Sequence, residues 1–306
     1  MKNILKLWDQ FWFAPQNTLN LAFLRIVLCG TLFYLYLARS WNLNFFSSEA
    51  WVQPEQALQL LHEGYRPVFS WYFFSDSWAI PMHAMLVLIL FFAMLGLGNR
   101  LLLLAAWVIN IAFMQRNYAV NFGADVIGSL FLLYLSFTPA FERLSVVSLF
   151  RKRKFRESTS LVESVFYRLM MVQISIIYAY TGFEKLKGGS WWDGTALWSV
   201  VGNPQMTTMD FSWLRHFPLV IALMTFVTVL FEIYWPFAVF IRKTKYWFLG
   251  LGVMFHTGIA LMMGLGPFSV IMMSTYFLFI DPIFLEKTVS KLYALKESIL
   301  FNKASS

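Results

Sequence analysis

An amine, two hydroxyls and a glycine share one stripe near the end of a long apolar run. In Tyr178-Ala-Tyr-Thr181-Gly182-Phe-Glu-Lys185 the residues Tyr178, Thr181, Gly182 and Lys185 fall at i, i+3, i+4 and i+7, one face of a helix. Residues 161–183 have spanning length, so Lys185 lies about one span from the start, where hydrocarbon meets water. An ionisable side chain at that depth is either a snorkelling anchor or a functional group. Hydroxyls and a space-opening glycine beside it describe a pocket wall, and the amine is the stripe's one group suited to exchange a proton. The following Gly188-Gly-Ser-Trp191-Trp192-Asp-Gly194 is expected to fold back over Lys185 as a lid, or else to anchor the chain in an aromatic belt.

Other polar residues sit in apolar surroundings. Asn117, Asn121 and Asp125, at i, i+4 and i+8, predict a polar stripe at the depth of Lys185, with Arg116 beside it. An Asp125–Lys185 pair would satisfy two buried charges or assist the amine. His256, near the middle of a later span, is a hydrogen-bonded core residue or a ligand. Arg25, Arg168 and Glu232 are expected to form an ion-pair cluster in the inner half of the membrane. The four histidines (His62, His83, His216 and His256) lack metal-ligand spacing, so no metal is expected. No phosphate-binding glycine loop, Gly-x-Ser-x-Gly elbow or His-Glu-x-x-His occurs, which argues against a conventional hydrolase or nucleotide enzyme.

The elements that position these groups are membrane helices. Hydrophobic residues make up 59% of the 306 and charged residues only 13%, a balance foreign to soluble domains. About eight segments approach spanning length: 18–39, 79–98, 100–117, 122–140, 161–183, 217–241, 246–264 and 267–285. The fold expected is therefore an all-α integral membrane protein, one domain over 1–306. Ile4, Leu5, Leu7, Trp8, Phe11 and Trp12 predict an interfacial helix over 1–17, and 286–306 reads as a cytoplasmic tail. The aromatic connection 41–78 should lie on the membrane face. Lysine and arginine concentrate on one side, notably in Arg151-Lys-Arg-Lys-Phe-Arg156, which predicts both termini in the cytoplasm of a plasma (inner) membrane. The net charge of +8 is thereby explained through orientation and membrane lipid, with no nucleic-acid partner. The single cysteine, Cys29, excludes an internal disulfide.

Several stretches carry a resemblance. Phe23-Leu-Arg25-Ile, the run Tyr178, Gly182, Lys185, Leu186, Trp191 and Gly194, the stretch from Phe255-His256 to Gly266-Pro-Phe268-Ser269, and Asn121-Phe-Gly-Ala-Asp125 together resemble the horizontally transferred transmembrane (HTTM) domain family. Its best-understood branch is the vitamin K-dependent gamma-glutamyl carboxylase. The resemblance implies a membrane lyase whose base, at the position of Lys185, deprotonates reduced vitamin K or another quinol. Oxygen (O2) then yields a strongly basic alkoxide that removes a gamma proton from a glutamate, and CO2 captures the carbanion. It further implies support from Asn121 and Asp125, cofactor contacts from Tyr178, Thr181, Gly182, Trp191 and His256, and a secreted peptide or protein as substrate. Desolvation at the membrane edge would favour the neutral amine this chemistry needs. The alternatives are a non-catalytic maturation or immunity factor for a secreted peptide, and a quinone- or lipid-binding subunit of a membrane complex.

Overall fold

A computed structural model describes residues 2–53, 55–56, 59, 63–64, 76–147, 156 and 158–290. Among these the regular structure is helical, apart from one bridge between Asn17 and Ser158. Helix α1 (Lys2–Phe13) precedes α2 (Thr18–Arg39), which runs on as a 3-10 segment over Ser40–Phe46. Then come α3 (Asp76–Leu95), α4 (Arg100–Arg116), α5 (Gly123–Ser136) and α6 (Leu161–Lys185). Two short helices, α7 (Gly189–Trp192) and α8 (Ala196–Val201), lead to α9 (Pro218–Ala238). Helix α10 (Lys245–Met263) is followed by α11 (Gly266–Ser274), which continues as a 3-10 turn and bends by 106° into α12 (Pro282–Ser290).

Local chemistry sets the ends of these helices. Asn17 caps α2 by accepting from Leu19 N, and Asn99 caps α4 by accepting from Leu101 N and Leu102 N. Each side-chain oxygen takes up donors that the first helical turn leaves unpaired. At the start of α6, Glu163 reaches back to Ser160 N (2.7 Å), closing a capping box. Gly264, with φ of +69°, ends α10 in the left-handed region that a side chain would disfavour.

Among the described residues five helices are long and apolar enough to cross a membrane, or six if the bent pair α11–α12 counts as one span. The chain is thus a multi-pass integral membrane protein. Every segment read from the sequence is at least partly helical, yet α4 and α5, with 17 and 14 residues, are shorter than the ~20 residues of a full span. A 3-10 turn at Tyr118–Val120 and extended backbone at Asn121 and Phe122 separate them. Asn117, Asn121 and Asp125 therefore do not form one helical stripe. Most of the basic run 151–156, parts of the 41–78 connection and the tail beyond 290 lie outside the described residues.

The helices gather around α2, which packs on α3, α5 and α11. Its Leu21, Leu24, Leu28, Leu32 and Tyr36 are fully buried. In contrast α9 and α10 sit at the edge, with Leu219, Leu223, Phe237, Trp247 and Met254 more than half exposed. Continuous apolar surface of this kind matches lipid. Helix α1 lies against α6, exposing Ile4, Leu5, Leu7 and Trp8 while Phe11 and Trp12 turn inward. The ends of the bundle differ in content. One, the basic end, carries α1, Arg100, Arg143 and Lys245. The opposite end carries Arg39, the α4–α5 turn and the 186–217 segment.

Candidate functional site

The crossing of α6 and α9 sets the geometry of the site. A methyl group added at Gly182 would come within 3.0 Å of Ile233 Cγ1 and 3.2 Å of Glu232 Cβ. The glycine therefore allows a close approach that a side chain would hold only by displacing α9 by a few tenths of an ångström. One turn on, Lys185 Nζ donates to Glu232 Oε2 at 2.7 Å. The glutamate side chain is 6% exposed and the lysine 22%. Pro236, one turn after Glu232, has no N–H, so the Glu232 carbonyl loses its helical donor and α9 is free to bend there.

The 186–217 segment brings Trp191 to this pair. The Trp191 ring centre lies 5.3 Å from Lys185 Nζ, within cation–π range. Trp192 Nε1 donates to Leu186 O at 2.7 Å. Gly194, at φ of +78°, lies so close to Ala222 of α9 that a Cβ would approach its methyl to 2.9 Å. Thr225 Oγ1 accepts from Leu197 N (3.2 Å), tying α8 to the same helix. Thr181 donates within its own helix, to Ile177 O and Tyr178 O.

Toward the basic end from the ion pair lies a buried polar trio. Tyr178 Oη is 2.7 Å from His256 Nε2 and 2.5 Å from Tyr276 Oη. If Tyr276 donates to Tyr178 and Tyr178 donates to Nε2, the histidine carries its proton on Nδ1. That nitrogen is buried with no partner among the described residues, as is Nε1 of Trp235, whose ring packs 4.3 Å from that of Tyr178. Gly252 makes room for Tyr276: a Cβ there would lie 2.3 Å from the phenol oxygen.

Phe231 and Phe255 form the outer wall of the trio, against Tyr178 and His256 respectively. Their other faces line an apolar groove of about 280 Å³ between α8, α9 and α10, with Val201, Met224, Met254 and Met262. Methionines suit such a groove to flexible apolar chains. Among the described residues no group of three His, Cys, Asp or Glu side chains could hold a metal ion.

Two expected groupings do not form. Arg25, Arg168 and Glu232 are not a cluster. Arg25 donates to Leu144 O at 2.6 Å, and Arg168 lies over Phe11 with Nη1 on Met171 Sδ. Depth counted along α9 misplaced Glu232. The helix begins fourteen residues earlier, at Pro218 (232 − 218 = 14), and that first part packs on α7 and α8, leaving Glu232 opposite the last turn of α6. Nor do Asn121 and Asp125 reach Lys185. Asp125 receives Arg39 on both oxygens (2.7 and 2.8 Å) and Phe122 N at 3.1 Å. Asn121 Nδ2 donates to Met114 O at 2.6 Å. Arg116 pairs with Asp76 and also donates to the Phe46 carbonyl.

The structure does bring together Tyr178, Gly182, Lys185, Trp191 and His256. It adds Glu232, Trp235, Gly252 and Tyr276, which sequence reasoning left out of the site. The one signal for Glu232 was a carboxylate in an apolar helix, which depth assigned to Arg25 and Arg168. Tyr276 and Trp235 look like ordinary aromatic residues in sequence.

Comparison with known proteins agrees with this architecture. The chain is 24% identical over 226 residues to the uncharacterized protein YitO of Bacillus subtilis (strain 168), covering 71% of each chain. It is also 24% identical over 206 residues to the sporulation-delaying protein SdpB of the same organism, covering 65% of this chain and 63% of SdpB. No solved structure matches. The HTTM domain family matches residues 13–283, nearly the whole bundle from the end of α1 to the start of α12. The chain belongs to the HTTM domain family.

Proposed function

We propose that the Lys185–Glu232 pair and the Tyr178–His256–Tyr276 trio together receive the oxygen-bearing head of a lipid-soluble molecule, a quinol being the form the family resemblance suggests. The protein would use it to modify a secreted peptide or protein. The observation that carries this reading is the pair of unpartnered buried nitrogens, His256 Nδ1 and Trp235 Nε1, beside an apolar groove. Buried polar groups normally find partners, and a head-group oxygen would supply them. The groove past Phe231 and Phe255 suits the tail.

Such a head would be held by His256, Trp235 and Lys185, under Trp191. When bound, a quinol supplies a hydroxyl proton and reducing electrons. The ion-paired Lys185 is a donor and polarises an oxygen set against it. To accept a proton, Lys185 must first yield one to Glu232 across the 2.7 Å bond. Trp191 covers one side of the ammonium and so strengthens the electrostatics of that exchange.

The membrane arrangement belongs to the same proposal. About eight crossings are read from the apolar segments, and the lysine and arginine distribution supports both termini on the cytoplasmic side of a plasma membrane, with the site toward the outer side. Helix α1 would lie in the inner interface.

Mass spectrometry of lipids extracted from gently solubilised protein tests the reading. A retained quinone, lost in Lys185→Ala and kept in Lys187→Ala, is the expected result. Protein that retains no quinone and binds no added quinol would overturn it. A second reading, a non-catalytic maturation or immunity factor for a secreted peptide, draws support from the similarity to the sporulation-delaying protein SdpB. Peptide processing that survives Lys185→Ala and Glu232→Gln would favour it.

A further inference from the structure

A different site lies at the basic end. Helices α1, α6 and α9 enclose an apolar groove of about 490 Å³, lined along α6 by Val172, Ile176 and Ala179 and walled by Phe11, Pro236 and Phe240. Val172 to Ala179 is two helical turns, ~10 Å of groove. Ser175 also faces it, but its hydroxyl already donates to Met171 O at 2.9 Å, so the groove presents no free polar group. At the basic end of this groove, one turn before Val172, stands Arg168. Its guanidinium lies 5.0 Å from the Phe11 ring centre, so the arginine and the groove share a wall.

Among the described residues Arg168 has no oxygen acceptor. Nη1 meets only the sulfur of Met171 (3.1 Å), and Nε has no partner. Among the described residues no carboxylate is bonded to it. A half-buried guanidinium facing apolar walls is costly without an anion. Its planar set of donors matches phosphate oxygens.

We propose that this groove seats an anionic phospholipid, with an acyl chain along α6 between Phe11 and Phe240 and the phosphate on Arg168. The two halves of the site match the two halves of that molecule: apolar walls for the chain, an unpaired cation for the head. Bound there, the lipid would fasten α1 to α6 and α9. A free phosphate could satisfy Arg168 but would leave the groove empty, and a zwitterionic lipid would fill the groove with weaker charge complementarity.

The test uses the full chain in detergent, titrated with phosphatidylglycerol, phosphatidylcholine or inorganic phosphate. Melting temperature and lipids retained in native mass spectrometry are the two readouts. Phosphatidylglycerol should stabilise the protein and be retained, and the other two should do neither. Arg168→Gln should weaken phosphatidylglycerol retention about tenfold, the loss expected for a charge-assisted hydrogen bond. Ala179→Phe, which fills the groove and keeps the charge, should weaken it similarly. Arg215→Gln, a cation at the opposite end, should leave it unchanged. Equal retention of phosphatidylcholine would overturn the proposal, as would an equal shift with inorganic phosphate. Undiminished phosphatidylglycerol retention in Ala179→Phe would also overturn it, even if Arg168→Gln failed to fold.

Discussion

Two ion pairs lie toward the end of the bundle opposite the basic face, and they are built for different work. Arg39 and Asp125 bond through two parallel contacts, and the carboxylate, with no exposure, also accepts from Phe122 N at the start of α5. It joins α2, the centre of the fold, to α5. Lys185 and Glu232 share one hydrogen bond, under a tryptophan and with an apolar groove beyond Phe231. Near this second pair lie buried nitrogens without partners. A charge whose bonding capacity is filled by the fold locks helices together, whereas one with capacity left over can meet a ligand.

The comparison is broken most sharply at Asp125. Asp125→Ala strands Arg39 and removes a helix-capping contact, so a loss of ~3–5 kcal/mol is expected. Thermal unfolding in detergent should show it as a large fall in melting temperature or in yield. A fully stable Asp125→Ala protein would remove the contrast between the pairs.

Breaking the second pair should cost less, because Lys185 reaches water. Lys185→Ala or Glu232→Gln alone is expected to cost roughly 1–3 kcal/mol, within the range for hydrogen bonds to charged groups. The double variant Lys185→Met with Glu232→Gln should recover much of that loss, since neither charge is then left alone. Recovered stability without recovered ligand binding would mark the pair as functional. Recovery of both would reduce it to a structural bridge.

At the polar trio, Gly252→Ala sharpens the contrast without touching a charge. The added methyl must displace the Tyr276 hydroxyl, at a cost of about 1–3 kcal/mol for overpacking. The expected outcome is weakened quinol binding, measured by tryptophan fluorescence, with the Arg39–Asp125 side unaffected.

The smallest effect belongs to the exposed turn that carries the tryptophans. Hydrogen bonds from Thr195 Oγ1 and N hold the Asp193 carboxyl below its ordinary range. A depressed carboxylate contributes stability above its unfolded pKa and loses it as pH falls through the folded value. Asp193→Asn should therefore loosen the 186–195 turn slightly near neutral pH and flatten its acid sensitivity, as read by Trp fluorescence between neutral and strongly acidic pH. An unchanged acid response would show that the turn is held by Trp192 and Gly194 instead.

Much of the frame was legible in the chain. Apolar runs marked the long helical segments. The i, i+3, i+4, i+7 stripe correctly put Tyr178, Gly182 and Lys185 on one face, because helical periodicity is a local property. The partner of Lys185 was not legible. Depth pointed to Asp125 for Lys185 and gave Glu232 to Arg25 and Arg168, and helix ends offered the only measure of that depth. That measure failed where α9 outruns α6 and where Asn121 and Phe122 break the helix.

The sequence by itself determined that this protein lives in a membrane, that its helices expose apolar surface, and which face of α6 is polar. Those properties depend on composition and on a 3.6-residue repeat, neither of which needs a neighbour. Tertiary structure alone decided which charges meet. Gly182 lets α6 press against Glu232, Gly252 opens the space that Tyr276 fills, and Arg39 takes both oxygens of Asp125. These choices depend on helix offsets of a single turn, about 5.4 Å, larger than the reach of a hydrogen bond and invisible along a single chain.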